Sequence, residues 1–99
     1  MIIIVGAITG AEATIDELIG LSLEHVRRSR LEPGCLSHEV ARDVENPFRL
    51  VFTERWADMA AVTTHFAVPE SGEFVRAAMS LCDSPPTLEL FDASAARAD

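Results

Sequence analysis

The sequence predicts a single α+β domain of ferredoxin-like type, an antiparallel sheet with both helices on one face. Three observations carry that prediction. Four short stretches run apolar or alternate as strands do; amphipathic stretches of helical period follow the first and the third; and the resulting order, β-α-β-β-α-β, is that of a split βαβ unit. With 99 residues there is room for one thin core, because a chain this short buries only about 60–70% of the surface its unfolded form exposes. The domain is expected over about residues 2–92, leaving 93–99 as a polar, alanine-rich, frayed tail.

Ile2 to Thr9 is apolar on both alternating faces, Ile2, Ile4, Gly6 and Ile8 against Ile3, Val5, Ala7 and Thr9, the pattern of a strand covered on two sides. In so small a chain the second cover is expected from another subunit, so the sequence predicts a homodimer paired through sheet faces. Thr14-Ile15-Asp16-Glu17 has the form of a capping box, and Ile15, Ile19, Ser22, Leu23 and Val26 continue as a helical stripe. That helix runs to about Leu31, with Arg27, Arg28 and Arg30 at its negative end and Pro33-Gly34 stopping it.

Cys35 to Asp43 alternates, with Leu36, His38 and Val40 on one side and Cys35, Ser37, Glu39 and Ala41 on the other. Glu45-Asn46-Pro47 then turns the chain into Phe48 to Trp56 and closes a hairpin. On the second arm Phe48, Leu50, Phe52 and Trp56 share a face that Glu54 interrupts, while Arg49, Val51, Thr53 and Arg55 share the other. Asp58 is a good N-cap for the next helix, whose sheet-facing stripe reads Met59, Val62 and Phe66 with His65 at its edge. Val68-Pro69 breaks that helix before a second segment from about Ser71 to Leu81, and Pro85-Pro86 precedes an edge strand from Thr87 to Asp92.

A formal charge of −8 argues against nucleic acid and anionic membranes as partners, since both are polyanions. No apolar run approaches the roughly 18 residues of a membrane span, and no basic leader precedes the first strand, so the chain reads as cytoplasmic. Cys35 and Cys82 lie in neither a CxxC pair nor a Cys/His cluster and read as reduced core residues. With no ligand cluster of metal spacing and no Gly-rich nucleotide loop, no metal, haem or flavin is expected.

Glu32-Pro33-Gly34-Cys35-Leu36, Asn46-Pro47-Phe48, Glu54-Arg55-Trp56-Ala57-Asp58 and His65 together resemble the pattern of the antibiotic biosynthesis monooxygenase domain, over nearly the whole chain from Ile2 to about Asp92. The resemblance implies pairing as a dimeric α+β barrel with a pocket between sheet and helices in each subunit. The family and its neighbours include cofactor-free hydroxylases of aromatic polyketides, quinol monooxygenases, an isomerase of a signalling sugar and haem-degrading enzymes. The haem branch is not expected here. Its first-strand asparagine is absent from Ile2 to Thr9, His65 stands at its helix tryptophan, and Phe74, Val75 and Arg76 stand where its haem-ligating histidine would be. The chain also has no tyrosine, which suits a quinol substrate better than the phenols of the polyketide hydroxylases.

A monooxygenase without cofactor takes its electrons from the substrate and needs a base, an apolar cavity and dioxygen. His65 is the candidate catalytic base, since an imidazole ordinarily titrates near pH 6.5; the competing reading is a helix histidine that fills space and bonds a carbonyl. Phe52, Trp56, Val62, Phe66 and His38 are the candidate substrate-binding residues. Trp56 either stacks on a ring or packs under the helix, and His38 either reaches the cavity or is a satisfied core residue. Glu54 on its apolar face is expected to pair with Arg42 or Arg49 rather than to act in catalysis. Arg49, facing the other way, fits a barrel or interface. A dry pocket favours a quinol monooxygenase or a non-catalytic small-ligand module, whereas basic phosphate-binding residues would favour an isomerase or tautomerase.

Overall fold

The computed structural model describes residues 1–97. Strand β1 (Ile2–Thr9) leads into helix α1 (Ile15–Ser29), then β2 (Cys35–Arg42), β3 (Arg49–Trp56), α2 (Met59–Ala67), α3 (Pro69–Leu81) and β4 (Thr87–Asp92). The antiparallel sheet has the order β2-β3-β1-β4, the ferredoxin-like arrangement. Among the described residues no helix is long and apolar enough to cross a membrane.

The registers align side chains in rows across the helix-covered face. Glu54 lies opposite Ile4 on one side and His38 on the other, and Phe52 lies opposite Gly6 and Val40. Helix α1 packs on β2 and α3, and α2 packs on β3 and α3, so the core divides in two. The larger part holds Ile8, Ile15, Leu18, Val26, Leu50, Phe52 and Ala78; the smaller holds Ile4, Trp56 and Val62. His38 meets Phe52 of the first and Trp56 of the second edge-on, which places polar groups at the seam.

Four local expectations are corrected. Helix α1 ends at Ser29, and Thr14 makes no side-chain cap; its hydroxyl instead accepts from Ala11 N–H at 2.9 Å. A register shift between Cys35 and Ser37 breaks the alternation of β2, so Cys35 packs beside Trp56 while Leu36 is 56% exposed. On α2 the buried residues are Val62 and His65, while Met59 and Phe66 are exposed. The helix is therefore rolled so that His65 faces squarely inward. In the tail, residues 93–97 carry no regular secondary structure, and 98–99 lie outside the described residues.

Two sequence signals position the site directly. Asp58 caps α2, its carboxylate accepting from Ala61 N–H at 2.9 Å. Gly34 has φ +83°, a conformation L-residues rarely adopt, and a Cβ there would stand 2.5 Å from that of Ala61. The turn into β2 thus brings the backbone close against α2.

Candidate functional site

Three histidines from three elements meet beneath the helices. His25 of α1, His38 of β2 and His65 of α2 have ring centroids 5.3–5.7 Å apart, and all are buried. His65 lies over the Trp56 ring at 4.5 Å, and His25 stacks on Phe74 of α3 at 4.2 Å with the planes 9° apart.

Glu54 Oε1 is the hub of this group. It accepts from Trp56 Nε1–H at 2.9 Å, lies 3.2 Å from His38 Nε2 and 3.9 Å from His65 Nε2. The His38 contact is close but not directed as a hydrogen bond, and neither ring nitrogen of His38 has a hydrogen-bond partner. His65 Nδ1 is 2.7 Å from Glu32 Oε1. With Glu32 accepting, Nδ1 carries a proton, and Nε2 is the ring nitrogen that lies on the Glu54 side. At His25 the roles reverse, because the Arg28 guanidinium, 2.7 Å from Nδ1, can only donate.

Burial, reinforced by the neighbouring His38 and His65 and by Arg28, lowers the His25 imidazole to about 3, so His25 is neutral near pH 7. For Glu54 burial acts to raise the carboxyl, but His38, the Trp56 N–H and His65 together outweigh it and hold the group below its ordinary value. A buried carboxylate thus stays ionised with its charge shared among ring groups. Both cysteines are free and partly buried; burial pushes each thiol up, assisted at Cys35 by Glu32 and Glu54, which makes them poor nucleophiles.

A cavity of about 520 Å³ opens beside this cluster, within the usual size of a small-molecule site. His25, Glu54 and His65 give it one polar wall, and Ser71, Arg76 and Thr87 add polar groups elsewhere in the lining; Phe52, Phe66, Phe74, Val75, Met79 and Leu88 supply apolar walls. Gly6 and Ala7 of β1 form part of its lining, and at Gly6 a Cβ would come within 3.3 Å of the Leu88 side chain.

Of the residues the sequence singled out, His65, Phe52 and Phe66 border this cavity. Trp56 and Val62 are wholly buried in the smaller core cluster, and His38 lies behind Glu54 without bordering the cavity. Glu54 does not pair with Arg42 or Arg49; its partners are Trp56 and the histidines, and Arg49 pairs with Asp43 at 3.1 Å. Sequence reasoning missed His25 and Glu32. His25 could have been found, because it lies seven residues after Leu18 and three after Ser22, all buried on α1. Glu32 sits in a connection, where periodicity carries no signal.

Residues 1–77 match the profile of a family described as antibiotic biosynthesis monooxygenase. An uncharacterized protein of Synechocystis sp., sll1783, is 31% identical over 90 residues, covering 91% of this chain and 61% of that protein. The chain thus spans about three-fifths of the length of that curated relative. A crystal structure described as an antibiotic biosynthesis monooxygenase superposes with a TM-score of 0.89 at 28% identity, over 96% of this chain and 100% of its own. One from Deinococcus radiodurans, provisionally given the same designation, reaches a TM-score of 0.93 at 26% identity, over 98% of this chain and 96% of its own.

Proposed function

Because the chain belongs to the antibiotic biosynthesis monooxygenase family, we propose that it is a cofactor-free monooxygenase of a quinol or similar small phenol, with His65 as proton acceptor. The observation that carries this reading is a buried imidazole at the wall of an apolar cavity, with Nδ1 held by Glu32 at 2.7 Å. A carboxylate on Nδ1 selects the tautomer whose Nε2 can accept a proton and stabilises the imidazolium that results.

The substrate ring would lie between Phe52, Phe66 and Phe74, its hydroxyl toward His65 Nε2. Removal of that proton leaves an electron-rich anion that transfers an electron to dioxygen. Recombination at ring carbon gives a peroxide whose O–O bond breaks as water leaves. For a quinol the balance is quinol plus dioxygen to hydroxyquinone plus water, the substrate supplying all the electrons. Trp56 and Val62 serve this reading from behind, by holding His65 and α2 in place, and His38 by its place beside Glu54.

Dioxygen uptake by metal-free protein across a panel of quinols tests the proposal. His65→Ala should lower turnover by roughly 10²- to 10⁴-fold, the usual contribution of a general base, with the circular dichroism spectrum unchanged. Full activity in that variant would remove His65 from the mechanism. Saturable binding of quinols without uptake by any preparation would replace the oxygenase with a small-ligand module.

The same reading includes a second copy of the chain. Leu88, Leu90 and Phe91 of β4 are 55%, 40% and 48% exposed, and Val5 on the outer face of β1 is 36% exposed. An apolar edge strand and sheet face of this kind are better covered than wet. Sedimentation at micromolar concentration should give a dimer, and Leu90→Lys should shift it to monomer; a monomeric wild-type protein would overturn the pairing.

A further inference from the structure

Glu54, His38, His65 and His25 form a convergent set of donors that the proposed proton transfer uses only in part. One donor atom from each of the three imidazoles lies within 4.8 Å of the others. Glu54 Oε1 stands 3.2 Å from His38 Nε2 and 3.9 Å from His65 Nε2. Ligands held about 2.0–2.2 Å from a first-row ion stand roughly 3–4 Å apart, so these separations are those of groups sharing one ion. The imidazole pairs, being wider, would close by small rotations of the side chains.

A second observation points the same way. His38 is 1% exposed; its Nδ1 has no hydrogen-bond partner, and its Nε2 has only the poorly directed 3.2 Å approach to Glu54. A buried donor or acceptor left unpaired costs about 1–3 kcal/mol, and such a group calls for a water or an ion. His65 is prepared in the manner of a metal ligand. Its Nδ1 is tied to the Glu32 carboxylate at 2.7 Å, the outer contact that orients a ligating histidine and strengthens its Nε2 as a donor.

We propose that Glu54, His38 and His65, with His25 as fourth donor, bind a divalent first-row transition metal ion at the wall of the cavity. Imidazole and carboxylate donors suit zinc, cobalt, nickel or iron rather than magnesium, which prefers oxygen and keeps its waters. The carboxylates of Glu54 and Glu32 offset the charge of the dication. Arg28 limits the fourth position: while its guanidinium donates to His25 Nδ1, Nε2 carries the proton and has no lone pair to give. Ligation by His25 therefore requires Arg28 to swing away.

This site does not depend on the oxygenase reading, since binding is measured without turnover. The test is titration of tag-free, chelator-treated protein with Co²⁺ and Zn²⁺, followed by calorimetry and by the visible absorption of cobalt, with Mg²⁺ as control for the negative charge of the chain. One ion per chain should bind, with a cobalt spectrum showing nitrogen ligation. His38→Gln and Glu54→Gln should each weaken binding at least about tenfold, since losing even an outer contact to a ligand typically costs about 10–100-fold. Arg28→Gln, whose amide oxygen can accept from Nδ1–H, should strengthen it and intensify the cobalt bands, a change that mere damage to the fold would not produce. Zn²⁺ should raise the melting temperature of the wild type but not of Glu54→Gln. Binding no tighter than that of Mg²⁺, or binding that Glu54→Gln and Arg28→Gln both leave unchanged, would overturn the site. Because the ion would take His65 Nε2, Zn²⁺ should also slow any quinol-dependent uptake seen in the metal-free protein.

Discussion

Glu54 is held as a buried anion by neighbours that each act through one atom. The Trp56 indole N–H, 2.9 Å from Oε1, is the best aligned of them. Trp56→Phe keeps most of the ring's packing while deleting that donor, so it should destabilise the fold by about 1–3 kcal/mol. The Glu54 carboxyl should move upward in the variant. Chemical denaturation together with an NMR titration of the Glu54 side chain checks both; an unchanged titration would mean that His38 and His65 alone hold the charge. Gly34 is as demanding for a different reason. Its φ of +83° and the nearby Ala61 Cβ leave no room for a side chain, and Gly34→Ala should cost more than the roughly 1 kcal/mol of backbone strain alone.

At the level of elements, α2 is the piece on which the chemistry hangs. It is short, Met59–Ala67, ends where Pro69 begins α3, and presents only Val62 and His65 as buried residues. Helices of this length are marginal without packing and caps, which gives the Asp58 carboxylate on Ala61 N–H more weight than it would have in a longer helix. Asp58→Ala should lower stability by about 0.5–2 kcal/mol. It should raise hydrogen exchange in α2 ahead of the sheet, and slow any His65-dependent reaction through looser placement of the imidazole. Uniform exchange across the molecule would show that α2 does not open on its own. The irregularity in β2 works alongside: by turning Cys35 inward beside Trp56 it closes the cluster under α2.

The whole molecule carries its buried titratable groups as a stability debt that acid reveals. His25 titrates at about 3 when folded against 6.5 ordinarily, so between those values the unfolded chain binds more protons than the native one. Stability therefore stands in full above pH 6.5 and falls as pH drops toward 3, by up to about 1.4 kcal/mol per pH unit from this group. Glu54, also lowered on folding, adds loss in the same direction in the lower part of that range. Urea midpoints measured in chelator-containing buffer should fall from pH 7 to pH 5, and His25→Gln should flatten that dependence. A wild-type midpoint that stays level over this interval would mean that His25 is hydrated in solution.

What the sequence determined by itself is the part of this protein that rests on local chemistry. Periodicity located every strand and helix of the described residues, Asp58 and Pro69 marked the ends of α2, and Pro33-Gly34 marked the turn into β2. His65 was visible as a polar group among apolar ones on a core-facing helix. What only the tertiary structure decided depends on positions far apart in the chain. The register of β2 against β3 set His38 beside Glu54, overriding the expectation of an arginine partner, because cross-strand distance and not sequence proximity selects the neighbour of the carboxylate. The roll of α2 turned His65 inward and Phe66 toward the cavity rim, since Trp56 and Val62 fill the space beneath it. His25 joined the site from a helix face that carries no motif, and Glu32 from a connection whose Glu32-Pro33-Gly34-Cys35-Leu36 motif assigned the carboxylate no role. Three imidazoles separated by 13 and 27 residues acquire a shared chemistry only when a helix, a strand and a second helix bring them under one roof.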